Sequence, residues 1–383
     1  MISKTQAAIV GLAVLLGTGG AVMGGAKGQS GTARASDING PKKAEEQYKN
    51  IQALKGIPAD QVIPSMQFIT ASLGVECDYC HEQGAFEKDD KKTKQTARKM
   101  MAMMLAINKD NFEGEREVTC YSCHRGNPKP AGMPPVMTAE PKEVMGDARI
   151  VSTTSEPALP TAVELFDKYL QALGGAAAIE KVTSRVQKGT IEFGDRSFPI
   201  DVYSKEPGKR ISFTHMPGGD NVTAFDGHEG WLGVPGRPVR EMHGADIDGA
   251  SIDADLHFAT HLQKMFREAQ VQGREKVGDI ETYLVIGKRD GKPPLRLYFG
   301  EKSGLLVRLE RYGETALGRM PTQIDYADYR DAGGMKIPYR WTLARPSGRF
   351  TIQVSEVKEN VEVDEAKFMK PAEPAGEQKA PTH

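Results

Sequence analysis

The spacing of apolar residues predicts a mainly helical region over residues 43–127. The stretch PSMQFITASLG contains Pro64, which the first turn of a helix tolerates, and ends on Gly74, a common helix stop. The stretch TKQTARKMMAMMLAINK favours helix throughout and places its apolar residues on one broad face. A third helix is predicted in KKAEEQYKNIQALKG, which consists of helix-forming residues and ends on Gly56.

Residues 161–371 have the pattern of an α+β domain. One helix, TAVELFDKYLQALGG, ends at Gly174 and Gly175, and a mixed helical segment covers roughly 249–268. Several strand-like runs alternate apolar with polar residues, and glycine turns separate some of them. The nine runs are SRVQKGTIEF, FPIDVYSK, KRISFTH, TYLVIGKR, LRLYFG, LLVRLERY, IDYADYRD, YRWTLA and FTIQVSEVKENVEV. This alternation predicts an antiparallel sheet that buries one of its faces.

The first 35 residues indicate export. Lys4 is followed by the uncharged apolar run TQAAIVGLAVLLGTGGAVMGGA, which is typical of a secretory signal peptide, with small-residue cleavage sites after Ala26 and Ala35. The run could also span a bilayer marginally, so an uncleaved N-terminal anchor is the alternative. No cysteine lies near it, which excludes a lipoprotein-type thioether anchor. Either way, the rest of the chain is expected in the periplasm of a bacterial cell envelope.

Length, proline content and charge set the remaining boundaries. A chain of 383 residues is long for one domain, so two are predicted, over 43–127 and 161–371. Residues 128–160 are rich in proline and are expected to form a linker, and residues 372–383 a disordered tail. The formal net charge of -1 argues against a nucleic-acid or general membrane-surface binder. Membrane contact is therefore expected only through an N-terminal anchor.

All four cysteines lie in two Cys-x-x-Cys-His pentapeptides, CDYCH from Cys77 and CYSCH from Cys120. Such cysteine pairs bind zinc, exchange thiols with disulfides, or attach haem covalently. The histidines favour haem, because only 8 of the 383 residues are histidine and one follows each pair. Zinc ribbons do not require that histidine. A dithiol oxidoreductase would be expected in a βαβ pattern rather than a helical one.

Two covalently bound haems c are therefore predicted. The thiols of each pair lie one helical turn apart and would add to the two vinyl groups of the porphyrin, and the next residue would then lie under the iron. The predicted proximal iron ligands are His81 and His124. The predicted thioether anchors are Cys77, Cys80, Cys120 and Cys123. A zinc site and a redox dithiol remain the weaker alternatives.

Each iron needs a sixth ligand, and methionine is the natural choice. Residues 36–127 contain no histidine besides His81 and His124. Met66 lies in the helix before the first pentapeptide and shares a face with Ile63, Ile69 and Leu73, although most methionines on such faces are ordinary core residues. For the second iron, a dense stripe precedes the second pentapeptide; it comprises Met100, Met101, Met103 and Met104.

Two longer stretches resemble the cytochrome c subunit of photosynthetic reaction centres, over about residues 46–135: PSMQFITASLGVECDYCH and TARKMMAMMLAINKD…VTCYSCHRGNPKP. In that family each haem unit is a helix with an axial methionine, a turn, and then Cys-x-x-Cys-His. The resemblance implies that Met66 ligates the first iron. It implies Met100 for the second, with Met101 as the fallback.

The chain departs from that family in three ways. Family members typically hold four haems, whereas this chain has motifs for two. The family's cross-ligating histidine is absent from KDNFEGERE, and so is its lipid-anchored cysteine. The resemblance therefore implies the same haem-binding unit but not service to a photosystem.

The C-terminal part resembles the bacterial lipoprotein-carrier fold, a strongly curved antiparallel sheet, or half-barrel, around a helix. LYFGEKSGLLVRLERY, IDYADYRDAGGMKIPYRWTL and VKENVEVDEAKFMKP carry this weaker resemblance. It implies a site for a lipid-like or quinone-like molecule, or a docking surface. Trp231 and Trp341 are interpreted as packing residues. His257 and His261 have an i, i+4 spacing that zinc ligands can share, but a plain surface helix is favoured.

The leading hypothesis is an exported electron carrier, not an enzyme, that serves redox partner proteins in the envelope. A dihaem peroxidase is one alternative, and it would require one iron with an open axial position. A lipophile-binding or quinone-binding module with accessory haems is the other. A basic cluster between the pentapeptides could steer an acidic partner, although a solvated helix face is favoured; it comprises Lys88, Lys91, Lys92, Lys94, Arg98 and Lys99.

Overall fold

The computed structural model describes residues 42–130, 158–346 and 348–371. These residues all belong to one compact unit, Lys42–His383. The predicted signal or anchor segment, most of the predicted linker and the C-terminal tail lie outside the described residues. No helix within the described ranges has the length and apolar character needed to cross a membrane.

The N-terminal part is helical, as predicted. Its helices are α1 (Ala44–Gln47), α2 (Val62–Leu73), α3 (Lys92–Asn111) and α4 (Cys120–His124), with 3₁₀ turns at Ala59–Gln61 and Cys77–Tyr79. Helix α2 ends at Gly74, whose φ of 66° is the left-handed conformation that glycine adopts without steric cost. The two longer helices are thus confirmed close to their predicted limits.

The helix predicted in KKAEEQYKNIQALKG is wrong for most of its length, because only Ala44–Gln47 are helical. The chain instead folds back on itself. The backbone N–H of Ala44 donates to the carbonyl of Ile57, and that of Ala59 donates to the carbonyl of Lys42, each at 2.8 Å. These bonds satisfy the backbone groups without a helix, so the local preference for helix is overridden.

The C-terminal part is a single antiparallel sheet of 13 strands among the described residues. The strands are β1 (Ser184–Phe193), β2 (Arg196–Lys205), β3 (Lys209–Met216), β4 (Gly219–Phe225), β5 (Gly230–Gly233), β6 (Arg240–Glu241), β7 (Glu268–Val277), β8 (Ile280–Arg289), β9 (Lys292–Gly300), β10 (Leu306–Thr315), β11 (Gly318–Ala332), β12 (Met335–Arg345) and β13 (Gly348–Glu359). The order across the sheet is β6-β5-β4-β3-β2-β1-β13-β12-β11-β10-β9-β8-β7. Strands β6 and β7 are therefore its edges, and the sheet does not close into a barrel.

The sheet is curved. Helix α7 (Ala245–Ala254) contacts both β3 and β10. These strands lie six positions apart in the sheet order. In a flat sheet six spacings would be roughly 29 Å, which is wider than one helix of about 10–12 Å. The predicted curved antiparallel sheet is thus confirmed, and α7 lies inside its concave face.

Each of the nine predicted strand runs overlaps a strand, although LLVRLERY and FTIQVSEVKENVEV extend beyond β10 and β13. Strands β4, β5, β6 and β7 were not predicted. All four lie at the two ends of the sheet order. Strand β7, EAQVQGREKV, has one fully buried residue, Val277, and otherwise polar or half-exposed positions. An edge strand with little buried area carries no clear hydrophobic alternation, because its stability comes from pairing with β8.

One helix fills the centre of the curved sheet. Helix α5 (Ala162–Leu173) begins at Thr161, whose hydroxyl accepts from the N–H of Glu164 at 3.2 Å. It buries Leu165, Phe166 and Tyr169 against strand residues such as Phe299. Two short helices, α6 (Ala176–Ile179) and α8 (Phe258–Met265), complete this core.

The hairpin between β10 and β11 joins the sheet to the helical part. Leu317 at its tip is only 1% exposed and belongs to one buried cluster with Leu54, Phe68, Ile69, Met101 and Met104. Beside it, the Arg116 guanidinium donates to the carbonyl of Thr315 and pairs with the Glu314 carboxylate at 2.8 Å. The helices and the sheet therefore share a hydrophobic core.

Candidate functional site

The first pentapeptide forms a tight turn that orients His81. The N–H groups of Cys80 and His81 both bond to the carbonyl of Cys77, at 3.3 and 3.1 Å. The Nδ1 atom of His81 lies 2.9 Å from the carbonyl oxygen of Phe86. A carbonyl only accepts, so Nδ1 carries the proton and Nε2 keeps its lone pair for a metal ion. This is the arrangement expected of an iron-ligating histidine with an outer-shell partner.

The second pentapeptide repeats that arrangement on a different backbone. It forms helix α4, and Arg125 follows it in the left-handed conformation with φ 50°. The Nδ1 atom of His124 lies 2.9 Å from the carbonyl oxygen of Asn127. The same reasoning leaves Nε2 of His124 free to bind a metal ion. The two predicted ligands therefore share one hydrogen-bonding pattern, although their sequences after the histidine differ.

The four cysteines are all free thiols, and no disulfide joins any two of them. Burial raises the pKa of the Cys80 thiol and the pKa of the Cys120 thiol above the usual range for cysteine.

The two pentapeptides are connected through helix α2. The N–H of Gly126 donates to the carbonyl of Ser72 at 2.9 Å, which ties the end of α2 to the residues after His124. A Cβ atom on Gly74 would lie only 2.2 Å from the Gly126 oxygen, so this approach requires glycine. The helix that carries Met66 thus leads into the first pentapeptide and packs against the second.

The methionines divide into two groups by exposure. Met101 and Met104 are 7% and 5% exposed and lie in the Leu317 cluster, and Met66 is half-buried against the same cluster. Met100 and Met103 are 39% and 49% exposed. Helix α3 therefore uses Met101 and Met104 for its protein core and leaves Met100 and Met103 on another face.

Large apolar side chains remain exposed around both pentapeptides. Two of these residues, Tyr79 and Tyr121, lie within the pentapeptides themselves, and the centroid of the Phe86 ring lies 5.5 Å from that of the His81 ring. A porphyrin is a large apolar ring, so this surface and the two histidine nitrogens fit the haem prediction. The exposed residues within 42–130 are Ile63, Tyr79, Phe86, Met100, Met103, Leu105, Phe112 and Tyr121.

Part of the basic cluster serves the fold. The Asp89 carboxylate accepts from Arg98 at 2.7 Å, from Asn50 at 3.0 Å and from Lys94 at 3.0 Å. These contacts, above all the one with Arg98, hold the pKa of Asp89 well below its usual range. Lys94 is buried and also donates to the carbonyls of Phe86 and Lys88. The sequence did not predict this network, because a helix with charges of both signs shows the same pattern whether or not its side chains meet at one carboxylate in the fold.

His257 and His261 of the C-terminal part each have a hydrogen-bonding partner within the protein. His257 Nε2 lies 2.9 Å from the carbonyl of Val182, and His261 Nδ1 lies 2.9 Å from the Asp255 carboxylate. Within the described ranges, no three His, Cys, Asp or Glu side chains are close enough to hold a metal ion. Trp231 is buried in a small cluster, and Trp341 lines the cavity inside the sheet.

Known sequences match the N-terminal part of the chain. Residues 26–191 match the family model described as photosynthetic reaction centre cytochrome C subunit. The photosynthetic reaction center cytochrome c subunit of Thermochromatium tepidum is 40% identical over 25% of this chain and 24% of its own length. That of Rubrivivax gelatinosus is 26% identical over 58% of this chain and 63% of its own length. The chain thus spans between about a quarter and just under two thirds of these two relatives. The predicted resemblance is confirmed.

Two further similarities were found. Cytochrome c-554 of Chloroflexus aurantiacus is 28% identical over 32% of this chain and 33% of its own length. The solved LolA superfamily protein NE2245 of Nitrosomonas europaea is 15% identical, with a TM-score of 0.38 over 55% of this chain and 99% of its own. That TM-score is too low to argue a common fold, so the curved sheet rests on its own strand order.

Proposed function

We propose that the protein is an exported c-type cytochrome that passes single electrons between redox partner proteins of the bacterial envelope. The observation that carries this proposal is the hydrogen-bonding arrangement that the two motif histidines have in common. Each donates Nδ1–H to a nearby backbone carbonyl and keeps Nε2 available. The similarity of residues 26–191 to reaction-centre cytochrome subunits supports it.

In this proposal the chain holds two haems c. Cys77 and Cys80 anchor the first through thioether bonds, and Cys120 and Cys123 anchor the second. His81 and His124 supply one iron ligand each. Bound haem iron exchanges one electron between its ferrous and ferric states. The protein orients both groups, surrounds them with apolar side chains and, through the contact of Ser72 with Gly126, holds the two units side by side.

Met66 and Met100 are the proposed sixth ligands. Met101, the fallback for the second iron, packs in the core with Leu317 and Phe68, and leaving it would open a cavity there. Met100 is exposed on the other side of α3 and can be recruited without that cost. Methionine ligation raises the reduction potential relative to two histidines, which suits a carrier that accepts electrons readily.

Haem content and intact mass of the full chain test the proposal. The chain should be produced in a host that matures c-type cytochromes. We expect two haems per chain and an N-terminus after Ala26 or Ala35, or an intact N-terminus if the segment is an anchor. A matched pair, Cys77→Ser with Cys80→Ser and Cys120→Ser with Cys123→Ser, should each retain one haem. A chain with bound zinc and no haem would overturn the proposal.

The peroxidase alternative is tested on the same preparation. Two methionine-ligated ferric haems should together account for the weak far-red charge-transfer absorption. A high-spin haem that reacts with peroxide would contradict the carrier function and favour a peroxidase, which requires an open axial position.

A further inference from the structure

The curved sheet encloses a cavity of about 580 Å³. This volume lies within the range of small-molecule sites, roughly 300–1,000 Å³. One part of its wall is apolar and includes Ile191, Ile200, Trp341 and Ile352 from strands β1, β2, β12 and β13. Helix α7 covers the cavity from the concave side. A lipophilic chain could occupy this space, but the walls are not uniformly apolar.

The cavity wall carries more positive than negative charge. Six basic residues line it: Arg185, Arg210, Arg240, Arg311, Lys336 and Arg345. Three acidic residues line it: Asp246, Asp253 and Asp255. Several of these charges are paired, since Arg311 binds both oxygens of Asp253 at 2.8 and 2.9 Å and Arg240 reaches Asp246 at 3.5 Å.

Within the described residues, the side chains of Lys336, Arg345 and Arg210 have no such partner; the first two are exposed, and Arg210 is half-buried. Arg210 lies near the start of β3, in register with Ser204 of β2, which is in turn in register with Arg185 of β1. Arg185 is neutralised by Glu359 at 2.8 Å. Among the residues that the structure describes, the Arg210 guanidinium makes neither an ion pair nor a hydrogen bond. Its partial burial lowers the pKa of Arg210, and the negative charge of Asp253 acts in the opposite direction.

A desolvated cation without a partner is costly to maintain. An anion that enters the cavity and pairs with Arg210 would lessen that cost. An arginine fork matches the two oxygens of a carboxylate or phosphate. The apolar Ile191 lies six positions after Arg185 along β1, and Arg185 is in the same row as Arg210, so roughly 20 Å of strand separates Ile191 from that row. The cavity wall thus offers an apolar strip along the strands on one side of Arg210.

We propose that this cavity binds a single-chain amphiphile with an acidic head group. The carboxylate or phosphate head pairs with Arg210, and the aliphatic tail lies along Ile191, Ile200 and Ile352. This inference concerns the sheet alone and does not depend on the haems. It extends the expectation of a lipophilic ligand by naming the charge of the ligand and the residue that selects it.

Isothermal titration calorimetry on the full-length holoprotein tests the proposal with three probes: dodecanoate, 1-dodecanol and acetate. Dodecanoate should bind at least about tenfold more tightly than 1-dodecanol, because only the carboxylate is an anion that can accept from the guanidinium through two oxygens. Acetate supplies the head group without a tail and should bind far more weakly than dodecanoate. Equal affinity for the acid and the alcohol, or no binding of dodecanoate, would overturn the proposal without any variant.

Three variants then assign the head-group site. Arg210→Gln should weaken dodecanoate binding by about tenfold or more and leave 1-dodecanol binding unchanged. Arg210→Lys should keep part of the preference for the acid, since the charge remains. Arg196→Gln, an exposed arginine on β2 outside the cavity, is the matched control and should behave like the wild type. Undiminished dodecanoate binding by Arg210→Gln would refute the role of Arg210.

Thermal unfolding without ligand separates this role from a structural one. If the role of Arg210 is to bind an anion, the Arg210→Gln variant without ligand should unfold at the same temperature as the wild type or at a higher one. If Arg210 stabilises the fold, the same variant should unfold at a lower temperature, which would count against the proposal.

Discussion

Leu317, at the tip of the β10–β11 hairpin, lies in the same buried cluster as Phe68 of helix α2. Gly318, the next residue, lies directly against the Phe68 ring, since a Cβ atom on Gly318 would be only 2.5 Å from that ring. Helix α2 leads into the first pentapeptide, and strand β10 carries Arg311 on the cavity wall. One hairpin therefore links the proposed haem unit to the curved sheet.

Replacing Leu317 should uncouple the two parts. Leu317→Ala removes a fully buried side chain and should lower the free energy of unfolding by about 2–4 kcal/mol. The measurement is urea-induced unfolding followed by haem absorbance and by far-UV circular dichroism. Leu159→Ala, at an exposed position, is the matched control and should change the free energy by less than about 0.5 kcal/mol. An equally small effect at Leu317 would show that the shared cluster contributes little.

Gly74 should tolerate no side chain. Gly74→Ala would force a Cβ atom against the Gly126 carbonyl as well as strain a left-handed residue. Gly56 has a similar φ of 84° but open space around its Cβ position. Gly56→Ala should therefore cost about 1–2 kcal/mol in unfolding free energy, and Gly74→Ala a further 1–3 kcal/mol. Thermal denaturation of both variants measures the difference, and equal losses would contradict the proposed close contact.

Met100 and Met101 can be distinguished by two different readouts. Met100→Ala should remove the far-red absorption of one of the two ferric haems, and it empties no core position. Met101→Ala should keep both bands but lower the free energy of unfolding by about 2–4 kcal/mol, because it empties a core position. Loss of a band in Met101→Ala instead would reassign the ligand to Met101.

The Asp89 network should make stability depend on pH in the acid range. Its contacts lower the pKa of Asp89 in the folded protein, above all through Arg98. A lowered folded pKa contributes stability that is present above the ordinary aspartate pKa of about 3.9 and is lost as pH falls toward the folded value. Asp89→Asn should therefore lower the unfolding temperature more at pH 7 than at pH 3.

The neighbouring carboxyl provides the comparison for that experiment. Asp90→Asn should shift the unfolding temperature little and by the same amount at both pH values. If Asp89→Asn also gave equal shifts at pH 7 and pH 3, the proposed linkage between Asp89 and Arg98 would be wrong.

Local signals in the sequence were sufficient for the elements with strong patterns. Helices α2 and α3, with the Gly74 stop, follow from helical periodicity, and β1 through β3 and β8 through β13 follow from alternation. The helix expected before Gly56 failed because long-range backbone bonds from Ala44 and Ala59 outweighed helix propensity. The edge strand β7 was missed because its pairing, rather than its pattern, stabilises it.

The sequence by itself determined the proposed chemistry of the pentapeptides, because two thiols and a histidine within five residues already contain the donor set that a covalent haem requires. Only the tertiary structure decided which methionines lie in the core, which charges converge on Asp89 and which cations of the cavity wall lack a partner. Those properties depend on contacts such as Leu317 with Phe68, between residues far apart in the chain. Such contacts arise from strand register and packing, which no local pattern encodes.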